Sequence, residues 1–261
     1  MKIDLDKYYT DNKIAKHCIN TFWNKCFGVT EIIEPSAGAG SFSLQIPNCI
    51  SYDLEPEHVS IIKQDFLELN LPYKQGRAFI GNPPFGTRNT LSVKFFKHSI
   101  KMCDMIGFIL PVSQYNNNQQ MYEFDLIHSE VLPLIEYSRR ELLCCFNIYH
   151  RPKNGELNKK PINHKLKDVT VTEYRRGGTY PKPNKYDYGM CAWGNVGKEV
   201  QQVGQFAQEN YITINNERHR SEVMELIKGT DWKNLYPCIS TPKIQTWKIY
   251  KYLKEQIPAL T

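Results

Sequence analysis

Apolar residues recur every four positions through Ile14, Cys18, Phe22 and Cys26, the period of an amphipathic helix, and Gly28 ends it. The rhythm then changes to short apolar runs at residues 29–34, 49–52, 77–80 and 105–110, each one strand long, the last of them apolar enough to be buried on both faces. Residues 89–102, with Leu91, Phe95, Phe96 and Ile100 apolar, predict a second helix, and residues 131–137 and 142–149 two more strands. Alternation of this kind predicts an α/β domain with a doubly wound, mostly parallel sheet whose carboxyl edge carries the ligands. Beyond residue 150 the pattern loosens. Residues 168–174 and 211–214 predict strands, 186–200 a hairpin, and 220–228 and 242–256 helices, the last with a stripe of Ile244, Trp247, Tyr250, Leu253 and Ile257. The expected organisation is an α/β domain over residues 1–152 and a smaller α+β region over 153–261.

The strand ends carry the candidate chemistry. The first runs into Pro35-Ser36-Ala37-Gly38-Ala39-Gly40-Ser41-Phe42, where small residues let the backbone approach a ligand and a helix starting at Ser41 is expected to offer free N–H groups. The second ends in Asp53, placed to accept from ribose hydroxyls. A third tip follows at Gln64-Asp65-Phe66, an acceptor for an exocyclic amine beside an aromatic face. The fourth opens into Gly81-Asn82-Pro83-Pro84-Phe85-Gly86, where two prolines fix φ and remove donors. The loop's carbonyls are therefore expected to point outward. With the Asn82 side-chain oxygen and the Phe85 ring they suit a planar ring bearing an amino group, which donates to Asn82 and Pro83 while it stacks on Phe85. Residues 111–120 are expected to form a mobile polar loop over the site.

Charge adds a second theme. The net charge of +6 conceals 14 basic against 16 acidic residues up to position 150 and 19 against 11 after it. Ten of the basic residues lie between Arg151 and Lys185, the electrostatic footprint of a phosphate backbone. The eight cysteines form no Cys-x-x-Cys pair, so reduced thiols and no metal site are expected. No run approaches the roughly 20 apolar residues of a membrane span, and the first residues lack the apolar core of a signal peptide. A soluble, cytoplasmic, intracellular protein is the expectation.

Taken in order, Glu34-Pro35-Ser36-Ala37-Gly38-Ala39-Gly40-Ser41-Phe42, Asp53, Asp65-Phe66 and Asn82-Pro83-Pro84-Phe85 resemble the S-adenosylmethionine-dependent amino-methyltransferases. More narrowly, they resemble the DNA adenine-N6 methyltransferases whose cofactor motifs precede the catalytic motif, including those of restriction-modification systems. The resemblance implies the class I fold, a Rossmann-like seven-stranded sheet, with S-adenosylmethionine as cofactor. It implies that Tyr8, Tyr9 and Thr10 border the methionine end of the cofactor and that Glu34, Ser36, Ala37, Gly38 and Gly40 cradle it. Asp53 would hold the ribose, and Asp65, with Phe66 and Phe95, the adenine ring. Asn82, Pro83, Pro84 and Phe85 would form the catalytic loop around a flipped-out target base, with Phe146 or Tyr149 stacking on its other face. The basic region would recognise the target, with Arg151, Lys153, Lys159, Lys160, Arg175 and Arg176 on phosphates and Tyr180, Tyr186, Tyr188 or Trp193 on bases. DNA is the expected partner. RNA, the N4 amine of cytosine, a protein glutamine and a catalytically silent nucleic-acid-binding module stay open as alternatives.

Overall fold

The computed structural model describes residues 9–133, 135–137, 140–160, 165–179, 182–235 and 242–261, with the backbone alone for 135–137 and 140–142. The chain forms two compact units, Met1–Pro161 and Ile162–Thr261. The segment after residue 152 stays with the first unit because Asn158 folds back, its N–H donating to Glu123 O at 2.9 Å and its side-chain amide to Asp125 at 2.8 Å.

Unit 1 opens with α1 (Asn12–Lys25), capped by the Asp11 carboxylate, which accepts from Lys13 N at 2.8 Å. Its apolar stripe, Ala15, Cys18, Ile19 and Phe22, is buried. The strands that follow are β1 (Glu31–Glu34), β2 (Ile50–Asp53), β3 (Ile62–Lys63), β4 (Arg77–Gly81) and β5 (Met105–Pro111), with α2 (Thr90–Ser99) between the last two. Then come β6 (Asp125–Val131), a two-stranded ribbon of β7 (Ile135–Tyr137) and β8 (Arg140–Leu142), and β9 (Cys144–His150).

The seven-stranded sheet runs in the order β3-β2-β1-β4-β5-β9-β6. It is parallel from β3 to β5, and β9 lies antiparallel to both β5 and β6. This is the mostly parallel, doubly wound sheet expected of the class I fold. The chain steps outward in one direction from β1 to β3 and in the other from β4 to β5. The crevice at this reversal, beyond the carboxyl ends of β1 and β4, is where open α/β sheets bind ligands.

Two expected elements differ. The α-helix at Ser41 is replaced by a single 3-10 turn, Ser43–Gln45, because Pro47 leaves room for no more. The strand expected at 131–137 is split: β7 covers its end, while the sheet strand is β6, which ends at Val131 and is an edge strand whose polar positions hide it.

Unit 2 is an antiparallel sheet of β10 (Val169–Arg175), β12 (Gln208–Ile214) and β11 (Tyr188–Cys191), in that spatial order. Its core joins Val169, Met190 and Ile212 to Val223 and Ile227 of α3 (Arg220–Gly229), Trp232 of α4 (Trp232–Leu235) and Ile249 and Leu253 of α5 (Thr246–Gln256). The start of α5 falls four residues later than expected; of the expected stripe Ile244, Tyr250, Leu253 and Ile257 are buried, whereas Trp247 is half-buried and Ile249 joins the core. Among the described residues no helix is long and apolar enough to cross a membrane.

Candidate active site

The carboxyl ends of β1 to β4 converge on one cleft of about 400 Å³, within the range of small-molecule sites. Glu34 to Ala39 and Ser41 line it after β1, Asp53 and Leu54 after β2, and Gln64 to Leu67 after β3. Asn82, Pro83 and Pro84 line it after β4, Leu91 and Phe95 come from α2, and Tyr9 and Thr10 from the segment ahead of α1. So the structure brings together, from distant parts of the sequence, all the described candidates for the cofactor cradle except Gly40. Tyr8 lies outside the described residues.

The glycine bend is held by its neighbours across the cleft. Gly38 N donates to Asp53 at 2.7 Å, and the other oxygen of Asp53 accepts from Glu55 N at 2.8 Å. Gly40 supports the bend from behind: with φ at +88° it takes a conformation costly for other residues, and a Cβ there would sit 2.7 Å from Leu44 Cγ. Glu34 is 2% exposed, and its carboxylate accepts from Ser43 N at 2.8 Å. Burial pushes its pKa up to about 8. Farther along, Asp65 caps the turn Phe66–Glu68 by accepting from Leu67 N at 2.8 Å. Behind it Phe66 and Phe95 form a tilted ring pair, centroids 5.1 Å apart, giving that end of the cleft an aromatic wall.

The lining has an unusual electrostatic character. It contains three carboxyl side chains, Glu34, Asp53 and Asp65, and among the described residues no Lys, Arg or His. Among the described residues the cleft has neither an α-helix behind the glycine bend nor such a cation beside it, the usual means of holding a pyrophosphate. It suits a nucleoside ligand that is itself positively charged.

The Asn82–Phe85 loop is more occupied than the sequence suggests. Asn82 O accepts from Ser36 Oγ at 3.2 Å, Pro84 O from Ser92 Oγ at 3.1 Å and Phe85 O from Leu91 N at 3.1 Å. Among the described residues only the Pro83 carbonyl of the four accepts nothing, and Pro83 lines the cleft. The Asn82 amide donates through Nδ2 to Thr10 Oγ1 at 3.1 Å.

The expected stacking residues are not on the cleft wall. Phe85 is 8% exposed and packs in the apolar cluster that holds Ala15, Cys18 and Phe22 of α1. Phe146 and Tyr149 are fully buried because β9 is an interior strand, covered on both faces; the Tyr149 hydroxyl is engaged with Asn147. Arg151 drops out of the phosphate-contacting set. Its guanidinium donates to Ile100 O at 2.5 Å and Cys103 O at 2.9 Å, pairs with Asp104 at 3.2 Å and stacks between the Tyr73 and Phe124 rings. Lys153, Lys159 and Lys160 are exposed on unit 1, and Arg176 on unit 2, where it also bonds Gly204 O and Gln205 O. Arg175 is half-buried and paired with Glu173 at 2.7 Å. Of the aromatic candidates, Trp193 is exposed, Tyr188 is buried, Tyr186 packs on Tyr211, and Tyr180 lies outside the described residues.

Sequence reasoning missed Leu54, Gln64 and Leu67, which flank the recognised tips, and Leu91, one helical turn before Phe95 on the same face of α2. That spacing was the available signal. The Tyr9 hydroxyl donates to Glu57, which is not among the lining residues. Among the described residues no group of three His, Cys, Asp or Glu side chains could hold a metal ion.

No protein-family profile and no curated protein matches the chain. Among solved structures it is similar to a Thermoplasma acidophilum protein, at 16% identity and a TM-score of 0.45, over 58% of this chain and 93% of that one. A Pyrococcus horikoshii protein described as a candidate RNA methyltransferase matches at 16% identity and a TM-score of 0.48, over 58% and 89% of the two chains. A magnesium protoporphyrin IX methyltransferase from Synechocystis PCC 6803, solved with bound SAM, matches at 8% identity and a TM-score of 0.38, over 54% and 79%. These likenesses are too distant to carry chemistry, which rests on the groups in the cleft.

Proposed function

We propose that unit 1 is an S-adenosylmethionine-dependent methyltransferase acting on the N6 amine of adenine in nucleic acid, with DNA as the substrate. The observation that carries the reading is the composition of the cleft: three carboxyl groups, no cationic side chain among the described residues, an aromatic wall and an Asn-Pro-Pro rim at the sheet's reversal. The residues fit this cofactor. Asp53 offers acceptors to ribose hydroxyls, Asp65 with Phe66 and Phe95 suits an adenine ring bearing an amine, and the acidic wall favours a sulfonium and an ammonium over a phosphate. When bound, the cofactor supplies an electrophilic methyl group.

An exocyclic adenine amine is a weak nucleophile because its lone pair is delocalised into the ring. The Asn82 side-chain oxygen and the Pro83 carbonyl are the acceptors that would hold its two N–H bonds and turn the lone pair toward the methyl group. Such orientation is worth roughly 7–11 kcal/mol of barrier, against about a hundredfold to ten-thousandfold in rate for a positioned base. Among the described residues the rim offers no histidine or lysine to act as a base at neutral pH. The proton lost from the methylated amine passes to water. The exposed lysines 153, 159 and 160 and Arg176 provide the charge for a phosphate backbone.

The test is transfer of tritiated methyl from S-adenosylmethionine to DNA and, in parallel, RNA, followed by mass spectrometry of the nucleosides. N6-methyladenine from DNA, absent with Asn82→Ala, is the expected result. Label on RNA alone would move the substrate, and normal turnover by Asn82→Ala would refute the mechanism.

A further inference from the structure

An asparagine amide is two-faced, so a rim that relies on its oxygen needs something to hold its nitrogen. In this chain that partner comes from far away in sequence. Thr10 Oγ1 receives Asn82 Nδ2 at 3.1 Å, although α1 and the first four strands separate the two residues along the chain. Thr10 is 7% exposed and is fixed on both sides: its carbonyl accepts from Ser41 Oγ at 2.8 Å, and the residue after it, Asp11, is the N-cap of α1. The hydroxyl is therefore pinned by a helix start and by the glycine bend, while Ser36 Oγ holds the backbone carbonyl of the same Asn82. Threonine's stiff χ1 further limits where its oxygen can go.

We propose that Thr10 is a positioning residue: it receives the Asn82 side-chain nitrogen and so aims the amide oxygen at the amine to be methylated. This role rests on the reading of Asn82 given above and extends it to a residue in the segment ahead of the first helix. Thr10 does nothing to the reacting atoms directly. The same segment borders the cleft through Tyr9, whose hydroxyl donates to Glu57.

The decisive comparison is Thr10→Val, which keeps the branched shape and removes the oxygen, against Thr10→Ser, which keeps the oxygen. Thr10→Val should lower kcat about tenfold to a hundredfold, the penalty of a misaimed group, while the Kd for S-adenosylmethionine stays within about threefold; Thr10→Ser should recover most of kcat. A readout independent of turnover is the Asn82 side-chain NH₂ pair in a ¹⁵N correlation spectrum of the full chain, identified by its loss in Asn82→Ala. It should shift in Thr10→Val and stay in place in Thr10→Ser. The proposal is overturned if Thr10→Val keeps kcat within about twofold, if its defect lies wholly in Kd, or if the NH₂ pair does not move. Should Asn82→Ala itself turn over normally, the reading of Asn82 fails along with it. An inert Asn82→Ala beside a fully active Thr10→Val removes only the role of Thr10.

Discussion

Replacing Glu34 by glutamine tests the electrostatics of the cleft without changing its shape. The side chain is 2% exposed, and burial lifts its pKa from an ordinary 4.5 to about 8. A carboxyl whose folded pKa lies above its unfolded value binds its proton more tightly in the folded chain. Its contribution to stability is therefore complete below pH 4.5 and is lost as pH rises through about 8. With about 1.4 kcal/mol per pKa unit, the loss at pH 7 is roughly 3 kcal/mol, good to order of magnitude. The glutamine keeps an oxygen to accept from Ser43 N and has no proton to lose. Urea unfolding of both proteins should give similar stabilities near pH 4.5 and a growing advantage for Glu34→Gln up to about pH 8, the difference isolating this one group. A cationic ligand beside Glu34 favours the ionised carboxyl, so S-adenosylmethionine binding at about pH 7 should release close to one proton in the wild type and none in Glu34→Gln. Calorimetry in buffers of different ionisation enthalpy reads this directly. Stability curves that run parallel from about pH 5 to about pH 8.5 would refute the argument.

Gly40→Ala places a methyl 2.7 Å from Leu44 Cγ at a φ of +88°, and a fall in stability of about 1–3 kcal/mol with weakened cofactor binding is expected by thermal shift and calorimetry. Asp65→Ala removes both the candidate adenine acceptor and the cap of the following turn, and should weaken S-adenosylmethionine about tenfold or more by calorimetry. Arg151→Met should destabilise unit 1 by about 2–4 kcal/mol in urea unfolding, because it takes the paired charge from Asp104, which keeps Tyr73 and Gly76 as donors, and leaves the Ile100 and Cys103 carbonyls without the guanidinium. The salt dependence of DNA binding should be unchanged, whereas neutralising Lys153, Lys159 and Lys160 together should flatten it.

The parts of the site that were legible in the sequence are those where local pattern and tertiary role coincide. Strands β1, β2 and β4 read as short apolar runs, so the tips at Glu34, Asp53 and Asn82 could be placed before any coordinates; Asp65 follows the exposed two-residue edge strand β3 and was placed only as a further acidic tip beside an aromatic, and the cleft assembles from all four. What stayed hidden depends on which way a side chain turns. Phe85 is as plausible over a ligand as in the core, and nothing local reveals that α1 offers it the apolar partners Cys18 and Phe22. Arg151 stands at the head of a basic stretch, but it directly follows an interior strand, where Arg151 N bonds Asp104 O at 2.7 Å and draws the side chain inward. The short turn at Ser43–Gln45 was foretold by Pro47, a local signal outweighed by the expectation of a helix after a glycine bend.

The insertion of β9 between β5 and β6 also sets an order for biosynthesis. β6 leaves the ribosome first, yet it has no place in the sheet until Cys144–His150 has emerged to bridge it to β5. Until then β5, seven residues long and almost wholly apolar, presents a bare ladder of donors and acceptors to its surroundings. A nascent chain halted shortly before Cys144 is thus the form most in need of a chaperone.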